Sequence, residues 1–131
     1  MSSESQDPYF VDQIALVTGA SSGIGREVAL ALGTAGAQVG VNYCRNKAGA
    51  EKTAIAISAA GGQAIAIQAD ISCATDVEKM FAELAGAFGN RINMLINNAG
   101  QWMDRCQLVD CTDEQLEKKF LQEQHKRSLS F

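Results

Sequence analysis

The sequence feature that most constrains the fold is a glycine-rich turn between an apolar run and a helical pattern. The apolar run is Ile14–Val17, the turn carries Gly19, Gly23 and Gly25, and the helical pattern begins at Arg26. Glycine lets the backbone turn sharply and approach a ligand closely. The unpaired amides of a first helical turn, at the positive end of the helix dipole, attract an anion. The segment therefore predicts a strand, a phosphate-binding loop and a helix, although three glycines alone also fit an ordinary tight turn.

Strand and helix patterns alternate along the rest of the chain. Apolar runs predict buried strands at residues 13–18, 38–43, 63–69 and 92–96. Helical spacing predicts helices at residues 24–35 and 48–60, a third running from a capping box at 75–78 to Phe88, and a fourth opening with a capping box at 112–115. On the first helix, Ile24, Val28, Ala31 and Leu32 lie on one face at spacings of three and four. Short connections favour parallel strands with right-handed crossovers. The predicted fold class is α/β, a Rossmann-type doubly wound parallel sheet truncated after about four strands.

Composition narrows the possible partners. The formal net charge of -4 and pI near 4.9 argue against nucleic acid and anionic membranes, which favour basic surfaces. No apolar run approaches the ~18 residues of a membrane span, and no signal peptide is recognisable. The four cysteines and the single histidine lack metal-site spacing. We therefore expect a soluble, cytoplasmic protein with no metal, no membrane association and no nucleic-acid partner.

A second motif, Asn97-Asn-Ala-Gly100, follows the predicted fourth strand directly. Ligands of doubly wound sheets bind at the carboxyl ends of the strands, near the point where strand order reverses. Asparagine side chains at that edge can bridge neighbouring loops, and the small Ala99 and Gly100 leave room for a flat ring. Alone, this motif also fits an ordinary turn.

Together the two motifs resemble those of the short-chain dehydrogenase/reductase family, TGxxxGxG at residues 18–25 and NNAG at residues 97–100. The resemblance covers about residues 12–120. Residues 41–46, 59–62 and 68–72 look most like 3-oxoacyl-carrier-protein reductases and their sugar-alcohol or glucose dehydrogenase relatives. The polar composition of residues 1–12 predicts a flexible tail. The resemblance implies a dinucleotide-binding domain at 13–120 and a divergent end at 121–131. The cofactor residues that it implies are Gly19, Ser21, Ser22, Gly23, Ile24 and Gly25 for the pyrophosphate and ribose, Asp70 and Ile71 for the adenine, and Asn97, Ala99 and Gly100 towards the nicotinamide ribose. Asp70 also fits a simpler interpretation, as an acidic turn residue before a helix.

The choice of cofactor can be argued from charge. NAD sites place a carboxylate about 20 residues after the glycine loop to bind the ribose hydroxyl, whereas NADP sites use an arginine for the 2′-phosphate. The predicted second strand ends with Asn42 and Tyr43, Arg45 follows, and residues 36–49 contain no carboxylate. We therefore predict that Asn42 and Arg45 belong to an NADP site, NAD being the less favoured cofactor. Alternatively, Arg45 is a solvated loop charge.

The catalytic residues of the family are missing from the sequence. The resemblance implies a serine and a Tyr-xxx-Lys pair downstream of the NNAG motif, with the lysine lowering the pKa of the tyrosine. No tyrosine follows Gly100, and the one Tyr-xxx-Lys, at Tyr43 and Lys47, lies upstream in a predicted strand and loop. No catalytic residue is therefore assigned. A small carbonyl or alcohol substrate is expected only for a full-length parent.

The loss of resemblance after Phe120 suggests a frameshift, an alternative splice product or a premature stop. On that expectation, the fourth strand is an exposed apolar edge, stability is marginal, and the helices that usually mediate oligomerisation are missing or altered. Three hypotheses remain: the amino-terminal half of an NADP(H)-dependent oxidoreductase that is inactive alone, a non-catalytic dinucleotide-binding or partner-binding module, and a nonfunctional fragment.

Overall fold

Strands and helices alternate in the computed structural model, which describes residues 10–98 and 104–107. The predicted order of elements is confirmed over residues 10–97. The elements are β1 (Ile14–Val17), α1 (Gly23–Thr34), β2 (Gln38–Tyr43), α2 (Lys47–Ala59), β3 (Gln63–Gln68), α3 (Ala74–Phe88), β4 (Met94–Asn97) and β5 (Asp104–Gln107). The predicted fourth helix at 112–120 lies outside the described residues, as do Ala99 and Gly100.

The strands form one sheet in the order β3-β2-β1-β4-β5. Strands β1 to β4 pair in parallel, with Val17 opposite Val41 on one side and Ile96 on the other. Strand order therefore reverses between β1 and β4, which confirms the doubly wound α/β fold. The prediction that the fourth strand is an exposed edge is wrong, because β5 pairs with β4 in antiparallel register from Asp104 to Gln107. Strand β5 was not predicted, because its sequence shows no alternation of apolar and polar residues. Its backbone hydrogen bonds cover the edge of β4.

Helices cover both faces of the sheet. Helix α3 packs on one face, where its side chains join those of β1, β3 and β4 in one core cluster. Helices α1 and α2 cover the other face, around the buried side chains of β1 and β2. All four residues of β1 are buried, which explains why its apolar residues run together instead of alternating.

The buried face of helix α1 consists of small residues. Its buried residues are Gly25, Ala29 and Gly33, whereas Ile24 is 61% exposed and Ala31 is also exposed, so the buried face differs from the apolar face that helical spacing indicates. The small side chains let the helix approach the strands and α2. At Gly33, an added Cβ would lie 2.5 Å from Cγ2 of Ile57. Apolar spacing alone missed this face because small residues, and not large ones, define it.

Helix α3 begins earlier than its predicted capping box. The N-cap residue is Cys73, with no side-chain capping bond, and Thr75 already lies inside the helix. Instead, the Asp70 N–H donates to Oδ2 of Asp76 at 2.9 Å. The turn between β3 and α3 is thus bonded to the first turn of the helix through Asp70 and Asp76. The prediction that Thr75 caps the helix is wrong, because Thr75 lies inside it.

The described chain begins before residue 13. The Phe10 N–H donates to the Ala35 carbonyl at 3.0 Å, and Phe10 packs against the α1–α2 side of the core. Among the helices of the described residues, none is both long enough and apolar enough to cross a bilayer.

Candidate functional site

The glycine loop, residues 18–22, leaves the carboxyl end of β1 and enters α1. Gly19 has φ +63° and Gly23 has φ +61°, a left-handed conformation that favours glycine. The site therefore lies at the carboxyl edge of the sheet, beside the position where strand order reverses, as the sequence predicts.

The start of α1 offers unpaired backbone amides. Its first hydrogen bond runs from the Arg26 N–H to the Ser22 carbonyl at 3.3 Å, and the Ser22 side chain makes no capping bond. The amides of the first helical turn lack intrahelical partners, and the positive end of a 12-residue helix lies behind them. Ser22, Gly23 and Ile24 are exposed at this turn. The arrangement is suited to a phosphate group.

Gly25 allows the first turn of α1 to lie directly on the loop. A Cβ at this position would overlap Gly19 O and Asn98 Nδ2, and would lie 3.0 Å from Gly19 C. A residue with a side chain would therefore separate the helix from the loop. Close packing of the helix at the end of its strand is a further role of glycine in motifs of this kind.

The end of β4 is hydrogen-bonded to the glycine loop. Thr18 Oγ1 donates to Asn97 Oδ1 at 3.1 Å and accepts from the Asn98 N–H at 2.9 Å. Asn98 Nδ2 donates to Gly19 O at 3.1 Å. The prediction that these asparagines bridge neighbouring loops is confirmed. Asn97 itself is 2% exposed, and its contact with a nicotinamide ribose stays a prediction.

Asn42 is buried where β2 ends, with 1% of its surface exposed. Its Oδ1 accepts from the Gly19 N–H at 3.1 Å, and its carbonyl accepts from the Ala20 N–H at 2.8 Å. Its Nδ2 donates to Ile67 O and to Ala69 O, both at 3.3 Å. The structure thus directs the polar atoms of Asn42 to backbone groups of the protein, and the predicted direct contact with the cofactor stays a prediction.

The start of α2 lies against the glycine loop. Thr53 Oγ1 donates to Ala20 O at 3.1 Å, and a Cβ on Gly49 would lie 2.5 Å from Ser21 O. Asn46 caps the helix by accepting from the Gly49 N–H at 3.0 Å. The exposed Arg45 directly precedes this cap. Arg45 therefore lies on the short segment that joins β2 to the start of α2, and its contact with a 2′-phosphate stays a prediction.

The Tyr-xxx-Lys sequence does not form a pair on a helix. Tyr43 is the last residue of β2 and is half-buried, whereas the exposed Lys47 is the first residue of α2. Residues four apart face each other only within one helix. The interpretation of this sequence as unrelated to the catalytic pair is confirmed.

Asp70 follows β3 at the same edge of the sheet. Its Oδ1 accepts from the Ser72 N–H at 3.0 Å and from Ser72 Oγ at 2.6 Å. These bonds lower the pKa of the Asp70 carboxyl, and the positive charge of Arg45 acts in the same direction. The structure therefore shows Asp70 as a turn residue before α3, the simpler of the two interpretations. Its predicted contact with adenine, and that of the half-buried Ile71, stay predictions.

The structure brings the predicted site residues of the first three βα units to one edge of the sheet. Sequence reasoning missed three of the connecting residues, Asn46, Gly49 and Thr53, which lie outside both motifs. Only Asn46 and Gly49 carry a local signal, an asparagine three residues before the amide that it caps. In the described part of the chain, no group of three His, Cys, Asp or Glu residues could hold a metal. A cavity of about 470 Å³ lies at the opposite edge, among the ends of α1 and α2, away from both motifs.

Comparison with known proteins gives a consistent result. The family model described as short chain dehydrogenase matches residues 13–122. The short-chain dehydrogenase/reductase homolog YusS of Bacillus subtilis is 45% identical over 68% of this chain and 81% of its own length. A 3-oxoacyl-[acyl-carrier-protein] reductase of Synechocystis is 46% identical over 67% of this chain. A putative dehydrogenase from Burkholderia cenocepacia, solved with bound NADP, is 36% identical over 67% of this chain, with a TM-score of 0.63. This chain spans only 35% of the Synechocystis protein and 34% of the Burkholderia structure.

Proposed function

This chain belongs to the short-chain dehydrogenase/reductase family, and on that premise we propose that it binds NADP(H) at the carboxyl edge of its sheet. The observation that carries the proposal is the first turn of α1. Its backbone amides have no intrahelical partners, the positive end of the helix dipole lies behind them, and Gly25 lets the helix lie directly against Gly19 of the loop. The diphosphate would lie on the amides from Ser21 to Gly25. The exposed Ile24 would cover one side of the adjoining ribose.

We assign the adenosine half of the cofactor to the carboxyl ends of β2 and β3. Arg45 would bind the 2′-phosphate, because it is exposed beside the loop and no carboxylate occurs in residues 36–49. Asp70 and Ile71 would contact the adenine. Asp70 Oδ1 already accepts two bonds from Ser72, so the amino group of adenine would use Oδ2. The NADP bound to the Burkholderia dehydrogenase agrees with this choice.

The nicotinamide half would lie at the end of β4, towards Asn97, Ala99 and Gly100. When bound, the nicotinamide supplies the hydride for interconversion of a carbonyl and an alcohol. The residues of this chain would bind and orient the cofactor. Proton transfer by the family mechanism requires a tyrosine whose pKa is lowered from ~10, and no tyrosine follows Gly100. We therefore propose that these 131 residues bind the cofactor and do not turn over substrate alone.

A non-catalytic binding module is the second candidate. The placement of Tyr43 and Lys47 on different elements favours it, because no pair near the described site can replace the missing one. The substrate of a catalytic parent would be a small carbonyl or alcohol compound, and the relatedness to a 3-oxoacyl-[acyl-carrier-protein] reductase makes an acetoacetyl thioester the first compound to test.

The first experiment is a fluorescence titration of the chain with NADPH and NADH. We expect NADPH to bind more tightly. Arg45→Gln should raise the Kd for NADPH by about 10- to 100-fold, because a charge-assisted hydrogen bond contributes about 1.5–3 kcal/mol. The Kd for NADH should change less than about twofold. Lys52→Gln is the matched control, since it removes the same charge from an exposed position on α2.

Two outcomes would contradict the proposal. Tighter binding of NADH by the unmodified chain would exclude the NADP assignment, and no binding of either cofactor would exclude the site. A second assay follows NADPH oxidation with acetoacetyl thioester and quinone substrates. Turnover by the 131-residue chain would contradict its proposed inactivity and would require a proton donor other than the family tyrosine.

A further inference from the structure

We infer that Asn42 is a positioning residue that fixes the glycine loop relative to the adenosine side of the site. The inference rests on the proposed cofactor function and assigns Asn42 a different role from direct contact. Asn42 lies in β2, between the strand that leads into the glycine loop and the strand that leads to Asp70. It makes hydrogen bonds in both directions.

One set of bonds holds the loop. The Gly19 N–H donates to Asn42 Oδ1 at 3.1 Å, and the next amide, that of Ala20, donates to the Asn42 carbonyl at 2.8 Å. Two successive loop amides are thus occupied by one residue. The amides that remain for a diphosphate begin at Ser21. Asn42 therefore determines which part of the loop faces the anion, in addition to where the loop lies.

The other set holds the end of β3. Asn42 Nδ2 donates to Ile67 O and Ala69 O, each at 3.3 Å, and Ala69 directly precedes Asp70. Because the Asn42 side chain is buried, water cannot replace these partners without opening the sheet edge. The separation between the glycine loop and the β3 end is therefore set by the length of one amide side chain.

The chemistry of the position requires an amide. The group must accept from Gly19 N–H on one side and donate to two carbonyls on the other, and an asparagine side chain has both capacities. A carboxylate would place an oxygen against Ile67 O and Ala69 O without a proton to share. An alanine would leave the Gly19 N–H and both carbonyls without this partner.

The experiment compares Asn42→Ala with a matched control at the other edge of the sheet, Asn93→Ala. Asn93 Oδ1 accepts from the Ile14 N–H at 2.9 Å, so both changes remove an asparagine that bonds a neighbouring strand. Two ligands are titrated: NADPH, which spans both parts of the site, and adenosine 2′-monophosphate, which carries no diphosphate. We expect Asn42→Ala to raise the Kd for NADPH at least about tenfold and that for adenosine 2′-monophosphate less than about threefold. Asn93→Ala should change neither by more than about twofold.

Amide hydrogen exchange of the free protein supplies a second measurement. In the unmodified chain, the Gly19 and Ala20 amides should exchange slowly, and the Ser22 and Gly23 amides fast. Asn42→Ala should accelerate exchange at Gly19 at least about tenfold relative to Asn93→Ala. If Asn42→Ala does not fold, the pattern in the unmodified chain decides, and fast exchange at Gly19 overturns the inference.

The outcomes separate the inference from the proposed function. If the unmodified chain binds no NADPH, the proposed function fails, and the exchange rate at Gly19 still decides whether Asn42 holds the loop. If the unmodified chain binds NADPH and Asn42→Ala weakens both ligands equally, Asn42 acts only on stability and the inference is wrong. Unchanged binding of both ligands also overturns it.

Discussion

Replacing Gly25 by alanine is the most direct test of the contact between α1 and the glycine loop. The new Cβ would overlap Gly19 O and Asn98 Nδ2. Gly19 O is a backbone atom and cannot rotate away, so the loop or the helix must move. The hydrogen bond from Asn98 Nδ2 to Gly19 O, 3.1 Å long, would be broken by the same atom.

The expected magnitude combines three effects. Overpacking in a tightly packed region costs about 1–3 kcal/mol, and loss of the Asn98 hydrogen bond costs about 1 kcal/mol. Alanine offsets about 1 kcal/mol, because it is the better helix former. We expect Gly25→Ala to lower the free energy of unfolding by about 1–3 kcal/mol and to raise the Kd for NADPH at least about tenfold, since displacement of the loop moves the amides that would hold the diphosphate.

Gly86→Ala provides the matched control. Gly86 lies in α3, where an added Cβ would meet no atom within 4 Å apart from the neighbouring backbone of its own helix, so alanine there should stabilise the protein by about 0.5–1 kcal/mol without changing NADPH affinity. Chemical denaturation measures both stabilities, and fluorescence titration measures both affinities. If Gly25→Ala were as stable as Gly86→Ala and bound NADPH like the unmodified chain, the reasoning about close approach would be refuted.

Three further predictions concern stability. Ser72→Ala should destabilise the protein at pH 7, because the bonds from Ser72 lower the pKa of the Asp70 carboxyl from its ordinary value of 3.8. The difference should shrink as the pH falls below 3.8 and vanish below the lowered pKa, where the carboxyl is protonated in the folded state too. Urea unfolding at a series of pH values from 7 downwards measures this. Gly33→Ala should lower the free energy of unfolding by about 1–3 kcal/mol. The loss should be smaller in an Ile57→Ala background, because that change removes the Cγ2 atom that the new Cβ would touch. A double-mutant cycle that shows no coupling between the two positions would contradict this prediction. Asn42→Asp should lower the free energy of unfolding by at least about 2 kcal/mol. The loss should be larger at pH 8 than at pH 5, because burial raises the pKa of the new carboxyl and its charged form is the more costly one to bury. A melting temperature difference that does not depend on pH would count against this prediction.

The strand and helix order was predictable because it rests on local patterns. The apolar run at β1 and the helical spacing in α3 reflect burial directly. The buried face of α1 was not predictable, because its glycines and alanine carry no strong apolar signal and because the tight contact of Gly33 is with Ile57 of another helix. Strand β5 was missed for a similar reason, since its pairing with β4 is the only feature that defines it.

The site was predictable where the glycine and NNAG motifs mark it in the sequence, and not where it depends on contacts between residues far apart in the chain. The glycines and the NNAG asparagines were identified by their spacing. The roles of Asn42 and Thr53 depend on bonds to residues 23 and 33 positions away along the chain, a separation at which no sequence pattern pairs them. Asp70 was the ambiguous case, and its bonds to Ser72 show the local turn that the simpler interpretation requires.

The pairing of β1 with β4 has a consequence for synthesis on the ribosome. Thr18 Oγ1 and its partner Asn97 are 79 residues apart, and chains elongate at roughly 5–20 residues per second. One edge of β1 therefore stays unpaired for roughly 4–16 s after its synthesis at those rates. Over the same time, Thr18 and Gly19 of the glycine loop lack their hydrogen bonds to Asn97 and Asn98. During that interval the nascent chain already contains the amides that we propose to bind phosphate, but not the strand that orients them. The appearance of NADPH binding would then report the moment at which β4 joins the sheet.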